Sequence, residues 1–165
     1  MANTCRTEVS INASKEAIKM FQEKLENCND GSYPNEKEIP HIVDVFGADA
    51  ELFIDKVGSK WISLQEIYTN DEECIEFSLE SAWYPPSDML KEMHRQLIEL
   101  DSNVTFTARY WDEGYEPIGV IKITKESEYL TSELNDLSVE DEPEYFWDDI
   151  IVPEFEKLES NLNIK

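Results

Sequence analysis

Between Thr7 and Ala13 apolar and polar residues alternate, with Val9 and Ile11 on one face and Glu8, Ser10 and Asn12 on the other, which predicts a strand. Ser14 stands where it can cap a following helix in which Ile18, Phe21, Leu25 and Cys28 recur at three- and four-residue steps; Glu16 suits its first turn and Asn29, Asp30 and Gly31 end it. Pro34, Pro40 and Gly47 punctuate residues 32–59, which read as an insertion packed on the body, with a short helix over Ala50–Val57 carrying Leu52, Phe53 and Val57. Trp61–Tyr68 and Cys74–Trp83 read as two strands joined across the polar turn Thr69-Asn70-Asp71-Glu72. In the second of these, Ile75, Phe77 and Leu79 face one way and Glu76, Ser78 and Glu80 the other, so one face is buried and the other wet or covered. Pro85 and Pro86 stop that strand, and Ser87 or Asp88 opens a second helix with the stripe Leu90, Met93, Leu97 and Leu100. Val104–Trp111, with Val104, Phe106, Ala108 and Tyr110 on one face, pairs through the Asp112-Glu113-Gly114 turn with Ile118–Ile123.

Apart from the insertion and the last strand, this is the β-α-β-β-α-β order of the split βαβ unit. The expected architecture is therefore α+β and ferredoxin-like: an antiparallel sheet with two helices on one face over residues 1–125, interrupted by the insertion at 32–59. Residues 126–165 hold 13 acids against 2 bases and read as a distinct acidic-aromatic C-terminal extension. Within it Glu140-Asp141-Glu142 is too acidic to pack, whereas Tyr145-Phe146-Trp147 and Ile150-Ile151-Val152 are too apolar to stay wholly solvated. Two readings stand for that aromatic run: it docks back onto the body's own sheet, or it inserts into a partner.

Charge narrows the function classes. The 37 acids against 14 bases give a formal net charge of −23, a potential that repels phosphate backbones and anionic lipid. Direct nucleic-acid or membrane binding is thus disfavoured, and partners are expected to be basic or apolar. Cys5, Cys28 and Cys74 are far apart and form no C-x-x-C pair, so a reducing, cytoplasmic setting is expected, with neither a disulfide framework nor a zinc site. Met1–Arg6 has no signal-like pattern, and no window approaches the roughly 18 apolar residues of a membrane helix. His41 and His94 lie in no ligand spacing, carboxylate pairs such as Asp148-Asp149 are what a chain this acidic offers by chance, and no Gly-rich phosphate loop is present. No catalytic or metal residue is nominated, no cofactor is expected, and the chain is read as non-enzymatic.

Ser81-Ala82-Trp83-Tyr84-Pro85-Pro86 before a helix, then Phe106-Thr107-Ala108-Arg109-Tyr110-Trp111, Glu113-Gly114 and Gly119-Val120, form a further pattern, as does Lys60-Trp61. Over roughly residues 60–123 this resembles the YubB-type ferredoxin-like family of phage and plasmid proteins. Its Ala-Trp-x-Pro-Pro segment closes a strand and opens a helix, and a Tyr-x-x-x-Gly pattern follows the next strand. The resemblance implies a ferredoxin-like fold and an origin on phages, prophages or plasmids, hence the host cytoplasm; it implies no particular activity.

Two functional expectations follow. The first is an acidic interaction protein of a mobile element that binds and inhibits a basic, nucleic-acid-binding host protein, an anti-defence or DNA-mimic role carried by Glu144, Tyr145, Trp147, Asp148, Asp149, Glu76 and Glu80. The alternative is a small-molecule pocket at the strand ends, built from Trp83, Trp111 and Tyr115 with Arg109 as anion anchor. Homodimerisation through the open sheet is a further partner choice.

Overall fold

The computed structural model describes residues 3–28, 41–46, 59, 61–125, 128–134, 137 and 145–164. The strands β1 (Thr4–Asn12), β2 (Ser63–Asp71), β3 (Cys74–Ala82), β4 (Thr105–Asp112), β5 (Ile118–Ile123) and β6 (Tyr129–Leu134) form one sheet in the order β2-β3-β1-β4-β5-β6. Every neighbouring pair is antiparallel, so the fold is α+β.

β1 occupies the middle and pairs with β3 from Thr4 to Asn12 and with β4 from Cys5 to Asn12. It begins three residues before the predicted start at Thr7, because Cys5 and Thr7 continue the inward parity of Val9 and Ile11 and all four are buried. Arg6 and Thr7 are polar, which hides that continuation from a hydrophobicity pattern. α1 (Lys15–Glu26) starts at the predicted cap, where the Ser14 hydroxyl accepts from the Ala17 amide. It buries Ala17, Ile18, Phe21 and Leu25 in the same cluster as Met89, Leu90, Met93 and Leu97 of α3 (Ser87–Ile98). Both helices therefore cover one face of the sheet. Phe21 is central: its ring lies 5.1 Å from Phe46, 5.8 Å from Phe77 and 6.4 Å from Phe106. Phe46 belongs to a short helix, α2 (Ile42–Phe46), within the predicted insertion, while the helix predicted over Ala50–Val57 lies outside the described residues.

Three expectations need correcting. α3 ends at Ile98, and Leu100, assigned to its stripe, is 54% exposed: the Leu100 and Asp101 amides both bond back to the Leu97 carbonyl and turn the chain away. β2 runs from Ser63 to Asp71, not Trp61–Tyr68, and its register shifts between Leu64 and Glu66. One extra residue at that bulge puts Leu64 and Ile67 on the same side although three positions separate them, a spacing that simple alternation misses. β6 was not foreseen; Tyr129–Leu134 extends the sheet beyond β5 out of the segment read as an extension.

β6 makes sense of Gly119. The Tyr110 ring lies across Gly119 to donate from its hydroxyl to Glu133 on β6, and a Cβ at Gly119 would collide with that ring. Gly119→Ala is expected to cost about 1–3 kcal/mol by displacing a buried ring, read as a lower urea midpoint. His94 gives a second test. Its ring is buried edge-to-face on Phe106 at 5.5 Å, and burial pushes its pKa below the usual imidazole value against an opposing Val104 backbone hydrogen bond. The unfolded chain therefore binds the proton first, so the native state loses this contribution as pH falls below about 6.5. The stability of His94→Leu relative to the parent is expected to improve from pH 7 to pH 5, the carboxylates being common to both; a constant difference would count against it.

Candidate functional site

The face opposite α1 and α3 is laid out by strand register. One row runs Ser63, Glu80, Arg6, Trp111, Ile118 and Leu134; the next runs Glu66, Ser78, Glu8, Arg109, Val120 and Ser132; the third runs Tyr68, Glu76, Ser10, Thr107, Lys122 and Leu130. The rows are apolar toward β5 and acidic toward β2, so the two halves have different fates.

The C-terminal segment covers the apolar half. A π-helical turn, Trp147–Ile151, leads without a break into α4 (Val152–Asn161), with Pro153 near the junction. Trp147, Ile151, Phe155, Leu158 and Leu162 recur at helical spacing, and Ile151, Phe155 and Leu158 bury against Ile118 and Val120. Trp111 takes the edge of Trp147 at 4.9 Å and of Phe155 at 5.9 Å. Arg109 holds Glu159 through Nε at 2.6 Å and Nη2 at 3.0 Å, with its guanidinium 5.4 Å from the Phe155 ring centroid. That pairing raises the Arg109 pKa further above its ordinary value. At the helix end Asn163 adopts φ 53°, the Ile164 amide bonds the Glu159 carbonyl and the Asn163 amide that of Ser160, a Schellman closure. Lys122 adds its ammonium to the Leu162 and Asn163 carbonyls, both at 3.0 Å, where the helix dipole favours a cation.

No described residue outside the sheet covers the β2-β3-β1 half as α4 covers the other. Between it and α4 runs a cleft of about 560 Å³ lined by Glu8, Ser10, Tyr68, Glu76, Thr107 and Arg109, with Glu159 and Ile164 on the helix side. Glu8 and Glu66 flank Ser78, whose buried hydroxyl has no hydrogen-bond partner, and Arg6 reaches across to both carboxylates at 3.4 Å. Its Nε lies close enough to Glu8 for Coulomb attraction but is not aligned for a hydrogen bond. Glu76 and Tyr68 are exposed beside this group, and Glu80 is partly so. The result is a rigid array of carboxylates carried on strands. On the opposite, helix-covered side of β1, burial pushes the Cys5 thiol up to about 12. Among the described residues no three His, Cys, Asp or Glu side chains converge as a metal site would require, and no helix is long and apolar enough to cross a membrane.

The residues nominated from sequence fall into three places. Glu76 and Glu80 lie on the β2-β3-β1 half, as foreseen from their parity. Trp147, Asp148 and Asp149 lie on the π-helical turn and Tyr145 two residues before it, all exposed, at the sheet end where β4 stops and β5 begins; Glu144 lies outside the described residues. Of the proposed pocket, Trp111 packs against the C-terminal aromatics, Tyr115 does the same with Phe146 at 5.3 Å and Trp147 at 6.2 Å, and Arg109 is held by Glu159. Trp83 stands apart, paired with Trp61 at 6.0 Å. The structure thus brings Trp111 and Tyr115 together around the chain's own tail and does not bring Trp83 to them. Glu8, Glu66 and Tyr68 were not nominated. For Glu8 the outward parity in β1 was the available signal, whereas the bulge concealed that of Glu66 and Tyr68.

Phe155 joins the tail to the sheet and is fully buried. Phe155→Ala is expected to cost about 3–5 kcal/mol and to expose residues 145–164 to fast amide exchange, with protection of β1 and β3 retained at moderate denaturant. No family model, curated protein or solved structure matches this chain.

Proposed function

We propose that the chain is a non-enzymatic binding protein for a basic protein surface, and that the β2-β3-β1 half of the outer face, with Glu8, Glu66, Glu76 and Glu80, is where that partner lands. The observation that carries this reading is the array itself: carboxylates fixed in register on paired strands, in a chain of net charge −23, with Arg6 the cation among them. Strands hold the charges in place before encounter, so little ordering cost is added on binding, and the field of the whole chain steers a cationic partner toward it.

Narrower statements rest on less. The order β2-β3-β1-β4 with α1 and α3 on one face supports a ferredoxin-like reading, in which β5, β6 and residues 32–59 are additions. The likeness of residues 60–123 to YubB-type proteins supports an origin on a phage or plasmid. On that footing the partner is a nucleic-acid-binding host protein, and occupying its phosphate-binding surface inhibits it, as a DNA mimic would. The small-molecule reading is weaker, since Trp147 and Phe155 occupy the faces of Trp111 that such a ligand would use.

The test is a pull-down from bacterial lysate with the tagged chain at about 50 mM and 500 mM salt, beside a variant carrying Glu8→Gln, Glu66→Gln, Glu76→Gln and Glu80→Gln. Basic proteins retained at low salt, released at high salt and lost by the variant are expected. Capture indifferent to both salt and the substitutions would refute the reading.

A further inference from the structure

Buried polar side chains are as a rule hydrogen-bonded, because an unpaired one forfeits its hydration for nothing. On the outer face of the sheet the Ser78 hydroxyl breaks that rule: the residue is 0% exposed and the hydroxyl has no hydrogen-bond partner. Its cross-strand neighbours are Glu66 on β2 and Glu8 on β1. Adjacent strands lie about 4.8 Å apart, so the two glutamate stems rise on either side of the serine, within reach of a single group placed over it.

The cation already at this place is a poor match. From β1 the Arg6 side chain crosses β3 to reach Glu66 on β2, with Nη2 3.4 Å from the carboxylate, and its Nε is 3.4 Å from Glu8. Arg109, on the same face, shows what a well-fitted pair looks like, holding Glu159 at 2.6 and 3.0 Å. The Arg6 Nε is itself buried without a hydrogen-bond partner. A guanidinium is a rigid planar fork. Extended from Arg6, it meets both carboxylates at the limit of contact and gives nothing to the hydroxyl between them. Its side chain is 35% exposed and its guanidinium carbon lies 6.0 Å from the Trp111 ring centroid, so it has an aromatic face to withdraw to.

An ammonium differs in the respects that matter here. It is a compact charge with three donors that rotate freely on a flexible stem. Over Ser78 it gives one N–H to each carboxylate and the third to the hydroxyl oxygen, and the hydroxyl proton goes to either carboxylate. The stem has room to approach, since the cleft of about 560 Å³ beside α4 borders Glu8, Ser10 and Tyr68. Glu76 and Glu80, one row to either side of Ser78 on the same strand, face any further cations carried by the same ligand.

We infer that Glu8, Ser78 and Glu66 form a seat for a primary ammonium, the side chain of a lysine on the basic partner, and that Arg6 swings aside to admit it. The inference rests on the basic-partner reading and adds which cation the array selects. Arginine is drawn to the same carboxylates, but its planar head, like that of Arg6, leaves the serine hydroxyl unused.

Fluorescence anisotropy with labelled nona-lysine and nona-arginine tests this on the full chain, beside Ser78→Ala. Because the hydroxyl has no partner in the free protein, its removal deletes no hydrogen bond, and the melting temperature is expected to stay the same or rise slightly. Affinity for nona-lysine is expected to fall about fivefold in the variant, with affinity for nona-arginine unchanged. A loss of equal size for both peptides, or for neither, overturns the ammonium seat and leaves the acidic-surface reading standing. No binding of either peptide by wild type overturns both. A melting temperature several degrees lower in Ser78→Ala shows that the hydroxyl is already employed in holding the sheet and overturns the seat as well. Spermidine binding as tight as that of nona-lysine, with the same dependence on Ser78, assigns the seat to free polyamines and overturns the partner's lysine as its occupant.

Discussion

β1 lies between β3 and β4 and is hydrogen-bonded to both along almost its whole length. Because side chains alternate strictly, that double pairing commits Cys5, Thr7, Val9 and Ile11 to the helix-covered core and Arg6, Glu8 and Ser10 to the opposite face at once. A slip of one residue would drive Glu8 and Arg6 among Phe21, Phe77 and Phe106 and put Val9 in water. The burial of those rings is therefore what fixes the rows of the outer face. The carboxylate array, the footing of α4 and the position of Trp111 all inherit their geometry from it.

Few cations serve a large excess of acids, and most of those described have structural employment. Arg109 clamps Glu159, Lys122 closes the end of α4, and Lys91 pairs with Asp88 and lies 4.7 Å from the Tyr129 ring centroid. Arg95 binds Glu92 and Glu99 on the surface of α3, and its hydrogen bond to Glu92 lowers that carboxyl's pKa. Exposed pairs of this kind contribute little stability each, but they engage positive charge locally. Among the described residues, the β2-β3-β1 half of the outer face carries Glu8, Glu66, Glu76 and Glu80 with Arg6 between them.

The body was legible because its strands and helices each carry a clean period: Ile75, Phe77 and Leu79 in β3, Phe106, Ala108 and Tyr110 in β4, the stripes of α1 and α3. What escaped did so for identifiable reasons. The bulge in β2 breaks alternation between Leu64 and Ile67, and the first turns of β1 hide inward-facing positions behind a cysteine and a threonine. β6, Tyr129–Leu134, is an edge strand whose residues are all partly or fully exposed, so burial gave it almost no pattern. The spacing of Ile151, Phe155, Leu158 and Leu162 was present in the sequence but stood beside a dense acidic run that drew attention to charge instead. The left-handed backbone at Trp61 and Trp83 has no signature at all in residue type, since Gly or Asn would be expected there.

The spacing of the carboxylate array is set by the same register. Glu66 and Glu8 flank Ser78 across adjacent strands, Glu80 and Glu76 stand one row to either side, and Arg6 lies directly opposite Glu80. No two of these four carboxylates are direct cross-strand partners, the arrangement in which like charges weaken a sheet most. The sheet therefore carries several acids on one face while each keeps a neutral or cationic residue opposite it. A cationic partner would meet charges whose backbone positions are fixed before encounter, which lowers the ordering cost of binding.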